Sequence, residues 1–180
     1  MRKIMMLISV LVVMVGCGQS TGAPSDGELN QREVKNTTSE VQDGDFIYRL
    51  VTEKSEYDDG KDVSIYAELE YVGEQDSVEI SHAASPFNFP MYEATRDYEI
   101  GYAMNEPLLT TTLERGEPIR EEYQGSGGYS HDDPGEYIEF MNRIIDGDFP
   151  KGFYEVNGHA DFNYNEQEYK IKADVQFKVN

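Results

Sequence analysis

The chain has 180 residues, of which 38% are hydrophobic and 12% aromatic, a composition typical of a folded domain rather than a disordered chain. It carries 35 acidic and 15 basic residues, so its formal net charge of −20 argues against nucleic acid as a partner and is compatible with cationic partners or metals. With a single cysteine no internal disulfide can form, and the fold must be held by its apolar core.

The first residues predict an export signal. Arg2 and Lys3 precede a mostly apolar run over residues 4–15, which is too short to span a bilayer but has the length of a signal-peptide core. An ordinary secretory signal, cut near Gly16 or Ala23, and a retained membrane anchor are the alternatives to the lipid-anchored form described next.

The segment Met14-Val15-Gly16-Cys17 resembles the lipobox of bacterial lipoproteins, with Met14 and Val15 where that family usually has Leu and Ala or Ser. The resemblance implies cleavage after Gly16 and covalent diacylglycerol and N-acyl lipid on Cys17. It also implies a place on the extracytoplasmic face of the cell membrane, of Gram-positive type, with the lipid bilayer as a partner through the anchor. Two or more acyl chains give firm attachment.

Composition divides the chain into three parts. Residues 1–16 form the signal peptide, and residues 17–44 are polar with scarcely an apolar cluster, which predicts a flexible tether. Loss of Arg2 and Lys3 with the signal takes the net charge from −20 to −22. The folded domain is expected over residues 45–180.

Alternation of apolar and polar residues indicates strands over most of this domain. The clearest case is 63–71, where Val63, Ile65 and Leu69 share one face and Glu68 and Glu70 share the other. A polar turn after it predicts a hairpin with the strand around 78–80. Six to eight strands are expected, at 46–51, 63–71, 78–80, 98–102, 108–113, 153–162 and 169–179, and such a series favours an antiparallel β-sandwich.

One segment has helical periodicity instead. Apolar residues recur at three- and four-residue intervals from Tyr137 to Ile145, which predicts a short helix over 134–146. Asp133 is the expected N-cap, Pro134 the first helical residue, and Gly147 the stop.

Three further segments carry a family resemblance: Lys54–Tyr71 with its acidic turn, Leu113–Glu117, and Lys151–Val156 with its Gly-x-Tyr-x-Val start. Together they resemble small bacterial immunoglobulin-like domains, of the kind found in Bacillus-type envelope lipoproteins and in the intracellular proteinase inhibitor family. The resemblance implies an immunoglobulin-like β-sandwich of about 6–8 strands, and it transfers no functional residue.

The sequence favours a non-catalytic domain. His82, His131 and His159 lie in unrelated segments, and the neighbours Ser130-His131-Asp132 do not make a triad because adjacent residues do not converge in that geometry. No bound cofactor is expected apart from the covalent lipid.

A metal site is the first sharper hypothesis. Carboxylates beside turns suit calcium, although none of the segments has the full spacing of a calcium loop. The candidate ligands are Asp58, Asp59, Asp62, Asp132 and Asp133. Copper or zinc held by the three histidines and Met91 is a weaker alternative.

The loop 85–92 is the candidate partner-binding surface. It offers Phe87, Phe89, Met91 and Tyr92, and rigid aromatics on loops often supply contact area for an unknown envelope protein or ligand. The alternative is that the two phenylalanines plug the domain. The sequence thus predicts a non-catalytic binding or accessory module, with a metal-binding domain or a proteinase-inhibitor-like domain as alternatives.

Overall fold

The structure, a computed structural model, describes residues 22–180. These residues form two helices and fourteen strands. In chain order they are α1 (Asp26–Asn30), β1 (Thr38–Asp43), β2 (Phe46–Thr52), β3 (Glu56–Tyr57), β4 (Ile65–Tyr71), β5 (Ser77–His82), β6 (Phe87–Asn88), β7 (Met91–Glu93), β8 (Tyr98–Ile100), β9 (Leu109–Glu114), β10 (Ile119–Glu122), α2 (Gly135–Ile145), β11 (Gly152–Val156), β12 (His159–Tyr164), β13 (Gln167–Lys172) and β14 (Val175–Val179). Neither of these helices is long and apolar enough to cross a membrane.

The strands are arranged in three sheets. The first has the order β1-β2-β4-β10, the second β3-β14-β11-β7-β8, and the third β13-β12-β5-β9, with β6 also paired to β12. All pairings between these strands are antiparallel except that of β3 with β14. The predicted mainly β fold with antiparallel sheets is confirmed, whereas the predicted number of six to eight strands is too small.

Three expectations about strand continuity are wrong for a common reason. The runs 153–162 and 169–179 each divide into two strands, because β11 and β14 belong to the second sheet while β12 and β13 belong to the third. The predicted hairpin of 63–71 with 78–80 also fails, because β4 lies in the first sheet and β5 in the third. Period-two patterning marks a strand but not the point where the chain changes sheet.

The predicted helix is confirmed as α2, but its start differs. Pro134 is the N-cap and makes no side-chain capping bond, while the Asp133 carboxylate accepts a hydrogen bond from the backbone N–H of Ser130 at 2.6 Å. The expectation that Asp133 caps the helix is therefore wrong, because its side chain closes the preceding turn. Gly147 has φ +76°, the left-handed conformation that ends helices.

The described part of the predicted tether is folded. We call residues 22–37 the N-terminal strap, and its helix α1 begins with a capping box between Ser25 and Glu28. Leu29 is only 1% exposed, and β1 pairs with β2 along its whole length. The boundary expected at residue 45 is therefore wrong. Few apolar side chains and many polar contacts hold this segment, so its composition is that of a linker although it is folded.

One apolar cluster joins the three sheets and α2, and its largest members are aromatic. Phe46 of the first sheet meets Phe162 of the third with ring centroids 4.8 Å apart. Tyr154 and Phe177, neighbours in the second sheet, stack at 4.9 Å. Burial of aromatic rings in this cluster supplies the apolar area that a chain without disulfides requires.

Candidate functional site

The predicted lipidation residue, Cys17, lies outside the described residues. The first described residues, Gly22 and Ala23, border a cavity of about 290 Å³ against α2, where Glu136, Glu139 and Arg143 contribute to the wall. The chain therefore approaches the fold over this helix.

The N-terminal strap is fixed across the second sheet by contacts along its length. The Arg32 guanidinium donates to the carbonyl of Ala94 at 2.7 Å and lies over the Phe153 ring. Further along, the Asn36 amide donates to the carbonyl of Asp174 at 2.6 Å. These contacts determine where the chain leaves the domain toward its N-terminus.

The aromatic loop is core rather than surface. Phe87, Phe89 and Met91 are each no more than 1% exposed, so the expectation that they form a partner-binding surface is wrong and the alternative, a plug of the core, is correct. Tyr92 is half-buried and donates its hydroxyl to Asp97 at 2.6 Å, which raises its pKa to about 12. Phe87 and Met91 point inward from β6 and β7, and Phe89 is buried in the short connection between the two strands.

The acidic candidates are dispersed among cations. The Asp59 carboxylate accepts from Arg143 of α2 at 2.5 Å, and the same guanidinium bonds Asp148 at 2.6 Å. These contacts raise the pKa of Arg143 and lower that of Asp148. Asp59 thereby joins the loop after β3 to the helix, which is a structural role.

Asp58 and Asp62 share the wall of a polar pocket of about 490 Å³ with Lys54 and Lys61. Ammonium groups in the wall disfavour a divalent cation by repulsion. Asp132, in contrast, lies beside His131 on an exposed turn. Within residues 22–180 no three His, Cys, Asp or Glu side chains converge in a way that would hold a metal ion.

The histidines lie in separate surroundings. His82 is 7% exposed, and its ring nitrogens lie 2.8 Å from the Ala83 carbonyl and 2.8 Å from the Thr111 hydroxyl. His159 is half-buried, and that burial, followed by the charge of Lys170, lowers its pKa. In the exposed turn the Ser130 hydroxyl accepts a hydrogen bond from the backbone N–H of Asp132. The His131 ring lies beside the Asp132 carboxylate instead.

A groove between β5 and β12 is the main surface feature that sequence reasoning missed. The two strands pair only at Ser81 and Asn163, after which β12 pairs with β6 and a gap of about 330 Å³ opens. We call it the β5–β12 groove, and its wall includes His82, Asn88, Met104, Glu106, Leu108 and Phe162. Leu108 is 82% exposed at its rim, although the sequence predicts a strand there.

A buried ion pair was also missed. Glu93 is fully buried and accepts from the Arg96 guanidinium at 3.1 Å and from the backbone N–H of Phe153 at 3.0 Å. Arg96 also donates to the carbonyl of Lys151 at 2.9 Å. The Glu93 carboxylate and the Arg96 guanidinium thus both have hydrogen-bond partners, and no buried charge is left unpaired. Through these bonds the pair joins β7 to β11.

Comparison with known proteins adds little. No family model matches the chain, and no curated protein matches it. A solved structure described as "Crystal structure of protein from Archaeoglobus fulgidus" covers 83% of this chain and 97% of that chain, at 11% identity and a TM-score of 0.35. A similarity at this level supports no conclusion about fold or function.

Proposed function

We propose that this protein is a lipid-anchored, non-catalytic binding module on the extracytoplasmic face of a Gram-positive cell membrane. The observation that carries the proposal is the position of Cys17 at the end of the apolar run, five residues before Gly22. A mature chain that starts at Cys17 keeps the N-terminal strap whole, whereas a cut near Ala23 falls beside the buried Pro24. The folded boundary thus favours a mature chain that starts near Cys17 over one cut near Ala23, and the lipobox resemblance favours lipidation over secretion from that start.

The finer fold assignment within this proposal is an immunoglobulin-like β-sandwich. Its support is the approach of the first and third sheets, whose Phe46 and Phe162 rings meet across the apolar cluster. The antiparallel order within both sheets is also what such a sandwich requires.

The anchor is tested by expressing the full chain in a bacterium that processes lipoproteins. We expect the protein in the membrane fraction, with an N-terminal peptide that begins at Cys17 and carries the mass of a diacylglyceryl group. Cys17→Ala should move the protein out of the membrane-bound, processed pool. An unmodified N-terminal peptide, or cleavage elsewhere, would contradict the proposal.

The binding role is assigned to the β5–β12 groove, because Phe87 and Phe89 are buried and Leu108 presents its side chain at the groove rim. A photo-crosslinking residue in place of Leu108 in the anchored protein should give a discrete higher-mass adduct in cells. The same residue in place of Val72, which is 36% exposed and does not line the groove, is the control outside the groove. Equal labelling at both positions would reject the groove as the binding surface.

The alternatives are a calcium- or copper-binding domain and a proteinase inhibitor. Specific binding to the folded state raises the melting temperature by mass action, so a shift with millimolar calcium or copper would favour a metal module. Inhibition of a proteinase panel by the purified domain would favour the inhibitor. We expect no shift with calcium, since Asp59 is bound to Arg143 and lysines line the pocket of Asp58 and Asp62.

A further inference from the structure

The length of chain between Cys17 and the fold limits how the anchored domain can be oriented. Five residue steps lead from Cys17 to Gly22, and a fully extended chain of that length spans about 17 Å. Any less extended conformation is shorter. The flexible tether predicted over residues 17–44 therefore does not hold for residues 22–44, which belong to the fold.

The exit point is fixed on one side of the molecule. Gly22 and Ala23 lie by Glu136, Glu139 and Arg143 of α2, and immediately after them Pro24 is buried. Asp26 then pairs with Lys151 at the start of β11, and α1 buries Leu29. The N-terminal strap thus holds the chain against the fold from its first described residues.

The opposite end of the molecule is identified by β2. Its C-terminal residue, Thr52, bonds the Tyr57 hydroxyl at 3.0 Å, and the loop that follows Tyr57 reaches α2 through Asp59 and Arg143. At the other end of the strand Phe46 contacts Tyr164, with ring centroids 5.4 Å apart. Six residue steps along a strand separate the two ends by about 20 Å.

We propose that the face formed by α2 and the start of the N-terminal strap is apposed to phospholipid headgroups, while the Phe46–Tyr164 end points away from the membrane. This inference rests on the proposed lipid anchor at Cys17. This face lies against the headgroups without inserting into the bilayer, because the exposed carboxylates of Glu136 and Glu139 border the exit point. Carboxylates are costly to move into hydrocarbon, so the short anchored chain brings this face to the headgroups but not into the acyl-chain region.

The absence of tryptophan from the chain makes a direct test simple, since one introduced tryptophan is the sole indole fluorophore. Tyr137→Trp reports on α2, and Tyr164→Trp is the matched control at the far end, because both tyrosines are half-buried. Each full-length variant is expressed, processed and measured in membrane vesicles that contain either a headgroup-labelled acceptor lipid or a nitroxide midway along the acyl chain.

We expect the headgroup acceptor to quench the indole of Tyr137→Trp severalfold more than that of Tyr164→Trp, and the acyl-chain nitroxide to quench neither. Equal headgroup quenching in the two variants, or stronger quenching at position 164, would overturn the orientation. Strong acyl-chain quenching at position 137 would overturn apposition without insertion. Membrane recovery of the same preparations separates the two proposals: protein absent from the vesicles contradicts the anchor itself, whereas anchored protein with the wrong quenching pattern contradicts only the orientation.

Discussion

At the scale of single residues, two buried tyrosines differ in what their hydroxyl groups reach. Tyr48 is fully buried, and among the described residues its hydroxyl has no hydrogen-bond partner; this burial raises its pKa. Tyr57 is 5% exposed, and its hydroxyl contacts the Thr52 hydroxyl, the backbone N–H of Lys54 and the carbonyl of Ser64. The first hydroxyl is a cost to folding, and the second organises a loop.

Tyr48→Phe should therefore leave the free energy of unfolding unchanged or raise it by up to about 1 kcal/mol, because it removes an unsatisfied buried group. Tyr57→Phe, the matched control, should lower it by about 1–3 kcal/mol, because it leaves backbone groups without a partner. Urea unfolding measures both. A marked loss of stability in Tyr48→Phe would show that its hydroxyl has a partner in solution.

His159 gives the fold a pH dependence whose sign follows from its surroundings. Burial, followed by the charge of Lys170, lowers its pKa below the ordinary value of 6.5. As pH falls below 6.5 the unfolded chain binds the proton before the folded chain does, so this contribution to stability is complete above that value and is lost toward lower pH.

We expect His159→Gln to flatten the decline in melting temperature below about pH 6.5, while His131→Gln, at a side chain that is 90% exposed, leaves it as in the parent protein. Thermal unfolding at mildly acidic, neutral and mildly basic pH provides the measurement. Identical slopes in the parent protein and His159→Gln would contradict the assignment.

At the scale of elements, the N-terminal strap is a segment whose docking depends on a small number of its own contacts. Leu29 is its deepest side chain, and the remaining contacts are mainly polar, such as those of Arg32 with Ala94 and Asp26 with Lys151. An exposed hydrogen bond or ion pair of this kind contributes little on its own. The burial of Leu29 is therefore expected to decide whether the strap stays docked.

Leu29→Ala should weaken docking by about 2 kcal/mol or more, because it removes buried methyl groups and leaves a cavity. Faster amide exchange and proteolysis within residues 22–37, with the sheets still protected, is the expected result. Leu108→Ala is the control, since that leucine is 82% exposed and its truncation should change neither rate. Unchanged exchange in Leu29→Ala would mean that polar contacts hold the strap.

The elements also show what the sequence could and could not predict. β4 and α2 were predictable because each buries one face, and their periodicities of about 2 and 3.6 follow directly from that geometry. The breaks at Asn157-Gly158 and Ala173-Asp174 were not, because the apolar pattern continues while the chain moves to another sheet. The strap was missed because its burial depends on Leu29 and Pro24 alone within a polar segment.

The candidate site was less predictable than the fold. The loop 85–92 is rich in aromatic residues, yet alternation alone could not decide whether their side chains pack into the core or face solvent. The β5–β12 groove depends on where two strands stop pairing, and no local pattern specifies that. Residues such as His82 and Met104 are far apart in sequence, and only the folded structure brings them into the same groove wall.

At the scale of the whole molecule, charge is the dominant property. A formal net charge of −20 implies self-repulsion in the compact state, which salt screens. We expect the melting temperature to rise as ionic strength increases, and to rise equally with NaCl and with CaCl₂ at matched ionic strength. A larger rise with calcium would instead indicate specific binding and would favour the metal-binding alternative.

With the anchor proposed at Cys17, the strap also determines how the molecule responds to a mechanical load. A pull between the bilayer and the domain enters at Gly22 and reaches α1 before any sheet. Residues 22–37 have a fully extended length of about 50 Å, so peeling them releases the difference between that length and the span of the docked strap. The limit of that extension is β1, whose six residues pair in register with β2. The strap therefore acts as a reserve of length that yields while the sheets stay intact.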